Sequence, residues 1–207
     1  MLGVAEHLLQ PRQALEIAPR DIVVGHGDGA VKLHALLRHE ARAPGDIGFP
    51  VWRTMGGIVG TAICNDRRWP ETYRVMGLQG VEMVLLGYNT PEHNPPAPEH
   101  DPLSDFHNHL SMQAGAYQNG TWVVGVAKAG VEEGCMLIGG SAIIAPSGEI
   151  VAQAVSRDDE LIVARCDFDR TVAYKTSIFN FAAHRRPEAY GPITQRAGVI
   201  LPPEDEA

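Results

Sequence analysis

The chain has 207 residues, 44% of them hydrophobic and 20% charged, and a formal net charge of −8 at pH 7. This length and composition fit one ordinary globular domain and exclude a disordered chain. The acidic balance argues against a nucleic-acid partner, because binding phosphates needs a basic surface.

Short apolar runs alternate with helical patterns along the chain. Asp21–Val24 is typical of a strand that runs into a glycine turn. Further strands are predicted at 58–64, Val81–Tyr88, Trp122–Ala127, Gly140–Ala145, Glu149–Ala154 and Leu161–Asp167. Pro146-Ser147-Gly148 predicts a hairpin turn between two of these strands. This mixed order of strands and helices predicts an α/β domain.

Two helices are predicted, at 70–79 and at Leu103–Gln118. Four residues of the second helix are expected to share its buried side: Phe106, Leu110, Met112 and Ala114. Residues 91–102 contain Pro91, Pro95, Pro96, Pro98 and Pro102, which predict a long loop without regular structure. Loops of this length in a compact domain tend to be functional.

The cysteines and the start of the chain bear on location. Cys64, Cys135 and Cys166 are widely spaced and form no CxxC pair, which is typical of a reduced protein. The first residues lack the basic and apolar regions of a signal peptide, and no run is long enough to span a membrane. We therefore expect a cytoplasmic protein with no membrane contact.

The most informative segment is the run Cys64-Asn65-Asp66-Arg67-Arg68-Trp69-Pro70-Glu71. It follows an apolar strand and precedes a helix that Pro70 and Glu71 are suited to begin. A thiol between a strand and a helix N-terminus lies where the reactive thiolate is favoured. The paired arginines offer forked donors for a carboxylate. The run predicts a cysteine hydrolase for a small anionic substrate, against the alternative that Cys64 is a small buried hydrophobic residue.

The same octet resembles the nucleophile motif of the nitrilase (carbon–nitrogen hydrolase) superfamily, in the version of N-carbamoyl-D-amino acid amidohydrolases. Matching segments lie in the family's order at Gly45–Val51, Gly87–Pro91, Ser111–Gly120, Ala145–Val151 and Ile178–Phe181, followed by His184 and Arg185. The resemblance implies the family's α-β-β-α sandwich, incomplete at the N-terminus. It divides the chain into an atypical segment 1–43, a hydrolase part 44–196 and a flexible tail 197–207.

Part of the family's catalytic set has a counterpart in this sequence. The resemblance makes Cys64 the nucleophile and assigns Lys32, in Val31-Lys32-Leu33-His34, to the developing oxyanion; the alternative for Lys32 is a solvated surface cation. The family's glutamate base lies in a Pro-Glu element, which does not occur here before residue 71. The earlier glutamates have no matching context: Glu6, Glu16 and Glu40.

The substrate side of the family's site is more completely matched. The resemblance implies that Arg67 and Arg68 hold a substrate carboxylate and that Asn65 faces the oxyanion. Asn89 and Thr90 follow a predicted strand, at the end where α/β proteins form their sites, and are expected to contact substrate. A surface salt bridge for the arginines and a turn for Asn89 are the structural alternatives.

The function implied by the resemblance is hydrolysis of N-carbamoyl-D-amino acids to the D-amino acid, ammonia and carbon dioxide, without a cofactor. The expected partners are the small substrate and further copies of the chain in a homo-oligomer. The missing Pro-Glu element leaves a second interpretation open: an inactive fragment that serves as a scaffold or an oligomer surface.

Two other patterns point to different chemistry and are weaker. The segment 92–109 is rich in histidine and acidic residues, but the spacing fits no ordinary zinc pattern, and we predict no metal. Gly25–Ala30 satisfies G-x-G-x-x-A after a strand, yet the surrounding β-α-β unit of a dinucleotide site is not evident. Neither pattern changes the hydrolase prediction.

Overall fold

The computed structural model describes residues 45–203 and, for 20–25, the backbone. Lys32 and the three glutamates considered as the base therefore lie outside the described residues, as does most of the glycine-rich pattern. In chain order the described strands are Arg20–Gly25 (β1), Val51–Thr54 (β2), Gly57–Ile63 (β3), Met83–Tyr88 (β4), Trp122–Ala127 (β5), Ala129–Glu132 (β6), Cys135–Ile138 (β7), Ala142–Ile144 (β8), Ile150–Gln153 (β9) and Leu161–Cys166 (β10). Every predicted strand occurs, with small shifts at its ends.

A six-stranded sheet of order β2-β3-β4-β5-β8-β9 forms the centre of the molecule. Its middle strands β3, β4 and β5 are parallel, while β2, β8 and β9 pair antiparallel at the flanks. The turn predicted at Pro146-Ser147-Gly148 does join β8 to β9. Because the three middle strands run the same way, their carboxyl ends meet at one edge of the sheet, where α/β proteins place their sites.

The α-helices of the described chain are Pro70–Leu78 (α1), Ser104–Asn119 (α2), Arg170–Thr176 (α3), Phe181–His184 (α4) and Gly191–Gln195 (α5). Pro70 occupies the first turn of α1, where its missing N–H costs nothing. Gly120 directly follows α2 and has a left-handed φ of 55°. Its N–H donates to carbonyl oxygens of the last turn and so caps the helix. Both predicted helices are thus confirmed.

The two faces of the sheet are covered differently. Helices α1 and α2 pack on one face, where Tyr73 and Met76 meet Met112 and strand residues such as Val84. On the other face, β1 and β10 form a separate antiparallel pair. Residues of β10 pack there against sheet residues including Met83, Trp122 and Ile143. The layers are therefore helices, sheet and a second strand layer, and the predicted α/β class is confirmed.

The buried side of α2 differs from the prediction. Phe106 and Leu110 are 59% and 49% exposed, so the expectation that they face the core is wrong. Of the four predicted residues, Met112 is buried and Ala114 is partly buried. The helix also buries Asn108, His109, Gly115, Ala116 and Asn119. These residues are small or polar because the inward face meets the ring of Tyr73 and a hydrogen-bonded network at the sheet edge. The apolar pattern therefore identified Met112 correctly but missed the polar residues of the buried face.

Two further expectations need correction. Residues Pro98–Leu103 form a 3-10 helix inside the segment predicted to be irregular. Pro98 is compatible with this helix because it occupies the first position, where the backbone N–H has no partner within the helix. The hairpin of β6 and β7, whose turn is Glu133-Gly134, was not predicted because its strands have only four residues each. Both turn residues have positive φ, as a tight hairpin turn requires.

Over the described part of the chain, no helix is long and apolar enough to cross a bilayer.

Candidate active site

Cys64 lies where β3 ends and a 3-10 helix, Cys64–Arg68, begins. Its φ is +47°, in the left-handed region that non-glycine residues rarely adopt. The carboxylate of Asp66 accepts a hydrogen bond from the N–H of Ile63 at 2.9 Å and so stabilises the entry to the turn. The thiol is half-buried against the core on the helical face of the sheet. The sequence therefore places a cysteine on a sharp, strained turn at the carboxyl end of a central strand.

Arg67 is buried, with only 1% of its surface exposed. Its Nη1 donates to the backbone carbonyl oxygen of Cys64 at 2.6 Å, and its Nη2 donates to Thr90 Oγ1 at 2.6 Å. Its Nε donates to Asn108 Oδ1 at 2.8 Å. Burial lowers the pKa of this guanidinium from its ordinary value, and the neighbouring Tyr88 opposes that shift. The resemblance assigned this guanidinium to a substrate carboxylate. In the structure each of its three nitrogens already donates one hydrogen bond to a protein acceptor.

Tyr88 and Asn108 form the second layer of this network. The Arg67 guanidinium lies over the Tyr88 ring, 4.1 Å from its centroid. The Tyr88 hydroxyl donates to the carbonyl oxygen of Gly140 at 2.8 Å and accepts from Asn108 Nδ2 at 3.0 Å. Burial raises the pKa of Tyr88 to about 12, so the hydroxyl stays protonated and remains a hydrogen-bond donor. The network joins the turn, β4, α2 and the chain before β8.

The other predicted substrate residues surround this network. Asn65 and Arg68 lie exposed on the same turn as Cys64, while Asn89 is half-buried just beyond β4. Thr90 is buried, and its hydroxyl is the acceptor for Arg67. Except for Lys32, which is outside the described residues, the fold brings all the predicted site residues to the carboxyl ends of β3 and β4.

A small pocket borders the site between the turn and the two helices. It has a volume of about 190 Å³, and Arg67 and Arg68 line it together with Ser111 and Gln118 of α2. Arg68 is the exposed one of the two arginines. An exposed guanidinium beside a small concave surface is suited to a carboxylate.

Sequence reasoning missed Tyr88, Asn108 and His109. A signal for Asn108 exists, since it lies four residues before Met112 and eight before Ala116, on the side of α2 that is buried. His109 completes this side: its Nε2 lies 3.2 Å from the carbonyl oxygen of Gly140, and its Nδ1 lies 3.4 Å from Asp105. A buried polar residue on a helix needs hydrogen-bond partners and therefore indicates a buried polar network.

The histidine-rich segment forms pairs with acidic neighbours. His93 Nδ1 lies 2.6 Å from Asp101 Oδ2, and the same carboxylate accepts from the N–H of Asn94 at 2.9 Å. These bonds hold the loop that leads into α2. Among residues 45–203, no group of three or more histidine, cysteine or acidic side chains is placed to hold a metal ion.

Residues 17–176 match the family described as carbon-nitrogen hydrolase. An N-carbamoylputrescine amidase of Arabidopsis thaliana is 35% identical over 155 residues, which cover 71% of this chain and 50% of that protein. A citrullinase of Francisella tularensis is 31% identical over 158 residues, covering 74% of this chain and 54% of the relative. The chain thus spans about half the length of the curated relatives it matches.

Solved structures give the same picture of the fold. A carbon-nitrogen hydrolase of Helicobacter pylori superposes with a TM-score of 0.67 and 25% identity, over 74% of this chain and 55% of that one. Nit3 of Saccharomyces cerevisiae, a member of branch 10 of the nitrilase superfamily, superposes with a TM-score of 0.56 and 22% identity, over 70% and 49% of the two chains. At 22% identity the second likeness concerns the fold alone.

Proposed function

The chain belongs to the carbon–nitrogen hydrolase family, and on that premise we propose that it hydrolyses the carbamoyl group of small N-carbamoyl amino acids. Cys64 is the proposed nucleophile. The observation that carries the proposal is the position of this thiol: half-buried, on a left-handed turn, at the carboxyl end of a central parallel strand. Such a turn lifts a nucleophile out of the sheet toward a bound substrate.

The substrate class follows from Arg68 and from two relatives. Arg68 is exposed beside the small pocket and offers a planar pair of donors to a carboxylate. The names of the two relatives, N-carbamoylputrescine amidase and citrullinase, both refer to compounds with a terminal carbamoyl group. A substrate with a carbamoyl group and a carboxylate is consistent with both the exposed Arg68 and the names of the relatives. The preference for the D form rests on the likeness of the octet that begins at Cys64.

The proposed reaction has two steps. The Cys64 sulfur bonds to the carbamoyl carbon while one C–N bond breaks, and the departing nitrogen leaves as an amine after it takes up a proton. Water then attacks the carbonyl carbon of the resulting S-carbamoyl (thiocarbamate) intermediate and restores the thiol. The carbamate that is released breaks down, so that the sum is substrate plus water to amino acid, ammonia and carbon dioxide.

The turn supplies polar groups for these steps. Asn65 directly follows the nucleophile, and its backbone N–H is the proposed donor to the oxyanion. Asn89 is the proposed contact to the carbamoyl group from the end of β4. Lys32 and the three earlier glutamates lie outside the described residues, and the proposal assigns no proton acceptor.

The test is ammonia release by the purified chain from N-carbamoyl-D-phenylglycine. The L-isomer, citrulline and N-carbamoylputrescine are run beside it. Cys64→Ala removes the proposed nucleophile, and Cys135→Ala is its matched control, because Cys135 is an exposed free thiol outside the site. We expect turnover that is lost in Cys64→Ala and retained in Cys135→Ala.

The substrate panel separates the parts of the proposal. Faster turnover of the carboxylate-bearing compounds than of N-carbamoylputrescine supports the role of Arg68, and the ratio of isomers tests the D preference. Turnover that survives in Cys64→Ala contradicts the nucleophile. Soluble, folded chain that releases no ammonia from any compound contradicts the activity and favours the inactive scaffold.

A further inference from the structure

We propose that Arg67 is a positioning residue that holds the nucleophile turn through the backbone of Cys64, rather than a ligand of the substrate. The inference deepens the proposed function and rests on it for the catalytic role of Cys64. It starts from the difference between two adjacent arginines: Arg68 is exposed, while Arg67 is 1% exposed.

The guanidinium of Arg67 joins three separate elements. Its donors reach Cys64 on the turn, Thr90 beyond β4 and Asn108 on α2, at distances of 2.6 Å, 2.6 Å and 2.8 Å. Thr90 is itself fixed, since its carbonyl oxygen accepts from the N–H of Ile138 at 3.0 Å. Arg67 therefore connects the turn to two elements that the core already holds in place.

The bond to Cys64 has a direct geometric consequence for the next residue. A trans peptide directs its N–H away from its C=O. When Arg67 fixes the carbonyl oxygen of Cys64, it also fixes the direction of the N–H of Asn65, on the opposite side of the same peptide unit. That N–H is the proposed oxyanion donor, so Arg67 acts on the reaction through a peptide group.

The turn needs such a restraint because Cys64 is held at a φ of +47°. A non-glycine residue in this region is strained and persists only when its surroundings hold it. The Ile63–Asp66 bond holds the start of the turn. Arg67 holds the peptide that follows Cys64.

Only arginine fits this position. Its three nitrogens lie in one plane and reach three acceptors at once, whereas lysine is a single point charge on a flexible stem. The Tyr88 ring lies against the flat face of the guanidinium at 4.1 Å from its centroid. Arg67→Lys therefore keeps the charge and loses the three-way connection.

The kinetic test compares Arg67→Lys with wild type on a carboxylate-bearing carbamoyl substrate and on an uncharged amide. We expect kcat to fall about tenfold or more for both compounds, with KM nearly unchanged, because a misplaced donor weakens the transition state. A rise of KM confined to the carboxylate substrate, with kcat retained, would make Arg67 a substrate ligand and overturn the proposal.

A second readout does not depend on turnover. Amide hydrogen exchange of the folded chain is followed in peptides covering residues 64–69. We expect faster exchange there in Arg67→Lys and in Thr90→Val, which keeps the shape of the side chain but removes the acceptor of Nη2. Arg53→Lys is the matched control, since Arg53 is an exposed arginine on β2.

The two readouts separate this inference from the function on which it rests. If wild type releases no ammonia, the proposed function fails, yet the exchange data still decide whether Arg67 holds the turn. Faster exchange confined to residues 64–69 supports that role. Unchanged exchange in both folded variants overturns it. Thr90→Val also keeps the test valid if Arg67→Lys does not fold.

Discussion

The Asn108 side chain contacts Arg67 and Tyr88 at the same time: its Oδ1 accepts from Arg67 Nε at 2.8 Å, and its Nδ2 donates to the Tyr88 hydroxyl at 3.0 Å. Both ends of one amide are thus used, which also fixes the orientation of that amide. Since all three side chains are buried, each bond replaces a contact with water that is no longer available. The stability of the site therefore depends on this polar network as well as on the apolar core.

Removal of the Tyr88 hydroxyl tests this dependence. In Tyr88→Phe, Asn108 Nδ2 loses its acceptor, and the carbonyl oxygen of Gly140 loses a donor. We expect the free energy of unfolding to fall by about 1–3 kcal/mol, measured by urea denaturation. Tyr117→Phe is the control, because Tyr117 is 39% exposed and its ring contacts with Tyr174 and Phe179 persist in phenylalanine. Equal losses in the two variants would contradict the importance of the network.

The contact between α1 and α2 requires a glycine at position 115. A Cβ at Gly115 would lie 2.7 Å from ring atoms of Tyr73, which is 1% exposed, so the ring or the helix has to shift. Although alanine favours a helix by about 1 kcal/mol over glycine, we expect Gly115→Ala to lower the free energy of unfolding by about 1–3 kcal/mol. The measurement is thermal or urea unfolding.

Gly45→Ala provides the comparison for this substitution, because a Cβ at Gly45 meets nothing within 4 Å. It should leave the unfolding midpoint nearly unchanged. If Gly115→Ala is as stable as Gly45→Ala, the ring of Tyr73 is not confined by α2, and the close packing of the two helices is not a constraint.

The role of Arg68 makes a kinetic prediction. Arg68→Ala should raise KM for N-carbamoyl amino acids about tenfold to a hundredfold and change kcat little, because a contact to a carboxylate that does not react binds ground state and transition state alike. N-carbamoylputrescine, which has no carboxylate, should show no such rise. Arg53→Ala controls for the loss of an exposed arginine elsewhere. An unchanged KM for the amino acid substrates would remove Arg68 from the site.

The buried thiol of Cys166 predicts a loss of stability in alkali. Burial raises the pKa of Cys166 to about 12, against the opposing charge of Arg170, and the side chain is 2% exposed. In the unfolded chain a thiol loses its proton near pH 8.5. Between these values the folded state keeps a proton that the unfolded state releases, so rising pH favours unfolding.

This effect is measured by urea denaturation of wild type and Cys166→Ala at pH 8 and 9.5. Over that interval wild type should lose about 1 kcal/mol more of its free energy of unfolding than the variant. Groups other than Cys166 titrate in both proteins and cancel in the comparison. Parallel pH profiles would show that the thiol is not shielded from water in the folded state.

Much of the fold follows from local sequence. The predicted strands and both predicted helices occur because β-branched runs, a proline at the first turn of α1 and a glycine after α2 act on the backbone where they stand. The run that begins at Cys64 likewise predicted a strand, a cysteine turn and a helix. These are short-range properties, and the residues that determine them are neighbours in the chain.

The tertiary structure alone decided the different positions of Arg67 and Arg68. Both are arginines in the same motif, and sequence reasoning gave them one role. The turn after β3 directs Arg67 inward to Thr90 and Asn108, which lie 23 and 41 residues away along the chain, and leaves Arg68 exposed.

The same limit explains why two of the four residues predicted to be buried on α2 are exposed. Phe106 and Leu110 are more apolar than Asn108 and His109, yet the polar pair is buried. Burial of a polar group becomes favourable only where partners satisfy it, and these partners come from β4, from the turn after β3 and from Gly140. Local sequence determines which elements form. The positions of distant partners determine which polar side chains those elements bury.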